Sequence, residues 1–236
     1  GWMLLSYRKP VTVSSTDSTY VAANATDESM RTYWAAAGSA PGEWIAVDLL
    51  RPVTVRAIQL NHYDHKTDQH DRASDLYHQY RVYASDNGSD WTLIADKSDN
   101  DKDVPHDYIE LATPLQTRHI KVENLHMPTG HFAVSGLRVF GNADGPAPAT
   151  PKGLKAVRSK TDPRNAMISW KAVDGAYGYN VYYGIAPDKL YNAITVLDGT
   201  SYDMRGLDRD SDYYFAIEAL GESGRSDISK AIKPIK

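Results

Sequence analysis

The chain has 236 residues, 42% of them hydrophobic and 24% charged, with no cysteine and a net charge of −4. That balance belongs to ordinary globular domains rather than to disordered chains, and it excludes disulfides, Cys-ligated zinc and thiol chemistry. Counted to Thr150 the charge is −6, from 13 basic and 19 acidic residues, and the remainder carries +2. Neither half has the basic footprint that nucleic acid requires. No apolar run approaches the ~20 residues of a membrane span. The start, GWMLLSYRKP, lacks both an initiator Met and the regions of a signal peptide, so residues 1–7 read as the exit from a missing upstream domain.

Along the chain come EWIAVDLL, TVRAIQLN, YRVYAS, WTLIADK, HDYIELA, RHIKVENL and GLRVFGN, each alternating apolar and polar residues between Gly, Pro, Asn or Asp. The pattern predicts seven or eight strands in a jelly-roll-like antiparallel sandwich, with its loops gathered at two ends. Asn87-Gly88 suits the positive φ angles of a tight hairpin. Trp34, Trp44 and Trp91 are expected in the core. A stretch rich in Pro, Gly and Ala then separates two β regions; residues 143–150 are placed as the linker, where proline removes strand donors.

Beyond it, AMISWKAV, GYNVYYGI, SYDMRGL and YYFAIEAL alternate again, with Trp170 as a core residue. Leu207 is followed six residues later by Tyr213, the spacing of a tyrosine corner, in which a buried hydroxyl bonds backbone upstream. Residues 151–236 resemble a fibronectin type III domain, an immunoglobulin-like β-sandwich. The whole chain is therefore expected to be all-β.

Ala25, Asp27, Thr32 and Trp34, followed by Trp44, Ile45, Asp48 and Leu49, resemble the opening turn and strand of the discoidin, or coagulation factor 5/8 type C, family. Tyr80, SDNGSDW (85–91) and GLRVFG (136–141) match its middle hairpin and closing strand, so the resemblance covers residues 8–142. Carbohydrate-binding modules of family 32 are its nearest functional neighbours. YHQYRVY, DVPHDYIEL and ENLHMPTGHFAVSGLRVFG look similar to the region after the catalytic domain of some bacterial family 43 glycoside hydrolases.

All eight histidines lie between His62 and His131, and four of them fall in residues 61–80. Saccharide recognition needs a flat apolar face beside rigid polar groups, and His and Tyr supply both. The resemblance places a ligand-facing loop at His62, Tyr63 and His65, a second element at His131 and Phe132, and a weaker candidate at Tyr20. The arginine and asparagine of galactose-binding members have no counterpart in register, since Asn61 is early and Arg72 late. The alternative is that His62 and Phe132 pack the end of the sandwich. Zinc at His62 and His65 would require a helical turn, which the pattern does not signal.

Asp99, Asp101 and Asp103 alternate but lack the glycine and glutamate of a calcium loop. The resemblance implies instead a structural Ca²⁺ held by the Asn24 carbonyl, the Asp27 carboxylate and Thr32. Glu28 stands where the family has Gly, and Gly136 where a closing Glu is common. The sequence thus points to a non-catalytic, carbohydrate-binding accessory region of a glycoside hydrolase. Its expected partners are a plant-type polysaccharide and an upstream catalytic domain in the same chain, without nucleic acid or membrane insertion. Its expected location is secreted, periplasmic or cell-surface. A purely structural spacer is the alternative.

Overall fold

The structure, a computed structural model, describes residues 1–68 and 76–235. Among them it is built from strands and one short 3-10 helix, Ala22–Thr26. The chain divides into two compact units, residues 2–144 and 145–236.

The leading unit contains β1 (Met3–Leu4), β2 (Val11–Val13), β3 (Trp34–Ala35), β4 (Trp44–His62), β5 (Gln79–Ser85), β6 (Thr92–Asp96), β7 (His106–His126) and β8 (Ala133–Asn142). Two of these are long, at 19 residues for β4 and 21 for β7. EWIAVDLL and TVRAIQLN were expected as separate strands because Pro52 divides them. They form one strand instead, and the break is a change of register against β7 between Asp48 and Val53. Leu50 takes a φ of 69° there. Asp48 fixes that corner: Oδ1 accepts the Leu50 N–H at 2.8 Å, and the carboxylate is gripped twice by Arg118 at 2.7 and 2.8 Å. The Arg118 guanidinium also holds the Asp48 carboxyl below its usual range.

Before the corner β4 pairs with β2 and the second half of β7, which also carries β5; after it β4 pairs with the first half of β7 and with β8. The sheet order is β1-β8-β4-β7-β5-β6, with β2 on β4 and β3 on β8. Two faces of one continuous sheet are thereby turned onto a shared core. Ile45, Val47 and Val122 come from one side, Ile58, Leu60, Leu137 and Val139 from the other, with Trp34 and Phe132 among them. Residues 2–7 are part of this unit: Met3–Leu4 pairs with Gly141 and Phe140, and Leu5 enters the core. Trp34 is fully buried, whereas Trp44 and Trp91 are half-buried. The Trp91 ring carries the Lys121 ammonium 4.4 Å from its centre. The Asn87-Gly88 connection is a loop rather than a two-residue turn; Gly88 has φ 75°, and Asn87 Oδ1 accepts the amides of Ser89 and Asp90.

The trailing unit has β9 (Lys155–Arg158), β10 (Ala166–Ser169), β11 (Ala176–Gly184), β12 (Asn192–Val196), β13 (Ser201–Met204), β14 (Tyr214–Gly221) and β15 (Gly224–Arg225). They form sheets β13-β10-β9 and β12-β11-β14-β15 over a core containing Trp170, Val181, Phe215 and Ile217. The Tyr213 hydroxyl accepts the Asp208 N–H at 3.0 Å. Glu218 is buried on β14, where its Oε1 accepts from Asn180 Nδ2 at 2.8 Å and the Tyr182 hydroxyl at 2.7 Å.

Gly141 shows how tightly the leading unit is closed. A Cβ at this position would lie 1.9 Å from the Thr54 carbonyl oxygen on β4. Gly141→Ala should force β8 away from β4 and cost about 1–3 kcal/mol, read as a lower midpoint in urea denaturation at unchanged slope.

Candidate functional site

The end of β4 sets the site. Its last residue, His62, is paired through backbone to Pro105, and the Tyr63 N–H is donated to the Ala133 carbonyl at 3.0 Å. His62 is buried, stacks on His78 with ring centres 4.0 Å apart, and meets Tyr80 edge-on at 5.5 Å. Its Nδ1 is buried without a hydrogen-bond partner. Burial, reinforced by His78, pushes the His62 imidazole well below its usual pKa, so it is neutral near pH 7.

One residue on, Tyr63 reaches the surface and keeps 39% of its area exposed. It lies against Tyr33 with ring centres 3.9 Å apart and planes 18° from parallel; Tyr33 in turn stacks on Tyr20 at 4.7 Å. The column is anchored underneath, because the Tyr33 hydroxyl bonds His65 Nδ1 at 3.0 Å. His65 is buried, and its Nε2 lies 2.8 Å from Asp17 Oδ2. The hydrogen bonds from Lys66 and His65 lower the Asp17 pKa to about 2. Burial pushes the Tyr33 phenol upward, so it stays protonated and can donate or accept.

Beside Tyr63 opens a cavity of about 700 Å³, within the range of ligand pockets. Tyr63 and His62 line it, joined by Gln59, Asn61, Asp64 and His106. Ser29 and the highly exposed Met30 form its rim, and Arg138 closes one side. Asn61 and His106 are paired across β4 and β7, and Asn61 Oδ1 lies 3.2 Å from His106 Nδ1. Gly136 makes room for Asn61: a Cβ there would stand 2.9 Å from its Nδ2. Arg138 is held by Glu28 through contacts of 2.8 and 3.0 Å, so its charge is already met.

Of the residues expected to touch a sugar, Tyr63 and His62 line the cavity and the other four do not. Phe132 is corrected outright: it is fully buried, edge-on to Trp34 at 5.3 Å, and has no surface to offer. His65, His131 and Tyr20 form the support behind Tyr63; His131 Nδ1 bonds the Ala36 carbonyl at 2.9 Å. Asn61, Gln59 and His106 were missed. Asn61 and His106 are opposed only through the β4–β7 register, which no local pattern signals. His70 and Arg72 lie outside the described residues.

The expected calcium turn is a closed hydrogen-bonded unit. Asp27 Oδ1 accepts the Ser29 N–H at 2.8 Å and Oδ2 accepts the Thr32 hydroxyl at 2.6 Å. The Asn24 carboxamide is turned to the Tyr33 carbonyl at 3.0 Å. Glu28, the neighbouring carboxylate, is committed to Arg138. The donors are hard oxygens of the right type, but they bring a single negative charge.

The F5/8 type C domain family matches residues 10–136. Among solved structures, chitosan-binding module 1 of a chitosanase/glucanase from Paenibacillus sp. IK-5 is 24% identical, covering 58% of this chain and 98% of its own, with a TM-score of 0.48. The family 32 carbohydrate-binding module of NanJ from C. perfringens, solved with galactose, is 16% identical over 59% and 99%, with a TM-score of 0.49. A Streptococcus pneumoniae fucose binding module is 20% identical over 60% and 97%, with a TM-score of 0.47. No curated protein sequence matches the chain.

The burial of His62 has a consequence for stability. Its folded pKa is depressed, so below pH ~6.5 the unfolded chain takes up a proton that the folded chain refuses. Stability should therefore fall as pH drops from 6.5, by at most about 1.4 kcal/mol per pH unit for this one group. Denaturation midpoints compared for wild type and His62→Gln should show a flatter acid limb in the variant.

Proposed function

The chain belongs to the F5/8 type C domain family through residues 10–136, and we propose that its leading unit binds a neutral saccharide reversibly in the cavity beside Tyr63. The observation that carries this is the ring column. Tyr63 has one face against Tyr33, is partly exposed, and lines the cavity. A ring held from behind is a stacking platform for sugar C–H groups that loses little side-chain entropy on binding. Asn61, His106 and Asp64 then stand within the same cavity to meet hydroxyls. The pairing of Arg138 with Glu28 suits an uncharged ligand.

The wider reading is that this unit is a non-catalytic accessory module of a bacterial glycoside hydrolase of the family 43 type. It would hold plant-type polysaccharide near an upstream catalytic domain in an exported or cell-surface protein. Affinity can be low there, because tethering to the enzyme raises the effective concentration. The similarities of YHQYRVY and ENLHMPTGHFAVSGLRVFG support it. In the trailing unit, the Tyr213–Asp208 bond and the three- and four-stranded sheets support a fibronectin type III spacer. A Ca²⁺ at Asn24, Asp27 and Thr32 would be held weakly, since affinity rises with the charge of the ligand set.

A bracing role without a ligand is favoured by the fate of Phe132, His65, His131 and Tyr20, all spent on packing around the loops. One experiment separates the two. Calorimetric titration with arabinan, xylan, galactan and fucose oligosaccharides should give saturable binding to at least one. Tyr63→Ala should then weaken that binding by about two- to twelvefold, the loss of one aromatic contact, while Tyr63→Phe retains most of it. Silence across the panel would leave the bracing role.

A further inference from the structure

A second cluster lies behind the ring column and does not line the cavity. Asp17, in the loop after β2, His65, after β4, and His131, before β8, bring one carboxylate oxygen and two imidazole nitrogens within 4.8 Å of one another. His65 Nε2 is 2.8 Å and His131 Nδ1 is 3.4 Å from Asp17 Oδ2. We propose that these three side chains form a binding site for a divalent transition metal of the Zn²⁺ class, with water in the fourth position.

The distances suit that ion. Four-coordinate Zn²⁺ with bonds of about 2.0–2.2 Å places neighbouring ligand atoms about 3.3–3.6 Å apart. The Asp17–His131 edge already has this length, and the Asp17–His65 edge needs to open by roughly half an ångström. Two imidazoles and one carboxylate are also a donor set that favours zinc and its neighbours over the all-oxygen preference of Ca²⁺.

The surroundings orient the ligands. His65 Nδ1 bonds the Tyr33 hydroxyl at 3.0 Å, which can hold the proton on Nδ1 and leave Nε2 as the donor. The two histidine loops are clasped to each other, with the His131 N–H on the His65 carbonyl at 2.9 Å. Gly130 permits that approach, having φ 75° and a position whose Cβ would stand 2.3 Å from the His65 carbonyl oxygen. His131 binds through Nδ1 once its proton sits on Nε2, which gives up the bond to Ala36. Lys66, whose Nζ is 2.7 Å from Asp17 Oδ2, is the cation the metal would displace; its side chain is more than half exposed and free to swing away. The ion would cross-link three loops and brace Tyr33, and through it Tyr63.

The site is independent of the saccharide reading and is tested without a sugar. The intact chain, stripped with chelator, is titrated with ZnCl₂ by calorimetry and with Co²⁺ by visible absorption. The expected result is one saturable site, strong ligand-field absorption from four-coordinate Co²⁺, and a rise in thermal midpoint with Zn²⁺. His131→Ala and Asp17→Asn, checked for folding by circular dichroism, should each weaken Zn²⁺ binding at least about tenfold; should either unfold, His131→Gln takes its place. Absence of saturable binding overturns the proposal. So does binding that is unchanged in the folded variants, which would place the ion on other histidines.

Discussion

The leading unit depends on one strand, Trp44–His62, that is hydrogen-bonded along both edges and changes partners at a single corner. At Asp48 the carboxylate caps the Leu50 amide and takes both arms of Arg118, so the corner is fixed by charge-assisted bonds rather than by a loop. Everything after it is placed by register. The strand ends at His62, whose side chain is driven into the protein among His78, Tyr80 and Phe132. The alternation of a strand then sends the next side chain the other way. Tyr63 faces outward because His62 faces inward.

The exposed ring is held in place by what lies behind it. Tyr33 and Tyr20 fill the space beneath Tyr63, and His65 ties Tyr33 to Asp17. Buried polar groups of this kind are stable only when satisfied, and the links from Tyr33 through His65 to Asp17 and Lys66 meet that demand. The loops at this end are consequently pinned to one another by side chains. The bonds that fix the loops also make them more than connections between strands.

How much of this was legible in the sequence follows from the range of the signals. Period-two alternation found the strands, but Pro52 reads as a divide between two of them, because sequence alone does not show that the chain can turn at Leu50 with a positive φ without leaving its sheet. Tyr63 was singled out because the family resemblance places a ligand-facing loop directly after TVRAIQLN, and the structure sets it at the cavity. Phe132 was misplaced because the resemblance puts a binding aromatic in the loop before the closing strand, and a loop residue can still point into a core. Trp44 and Trp91 were expected to be buried as large rings, yet each keeps a partly exposed face. The stacking of Tyr33 on Tyr63 and the pairing of Asn61 with His106 join residues far apart in the chain. They appear only once the strand register is known.

The account rests on Tyr63 being the ring that a saccharide meets. Nuclear magnetic resonance titration of the intact chain with its tightest-binding saccharide tests this most directly, by following aromatic and amide signals through both units. The result required is saturable shifts at Tyr63, Asn61 and His106, with Trp170 and Tyr213 unmoved. Shifts confined to other surfaces, with Tyr63 silent, would contradict it.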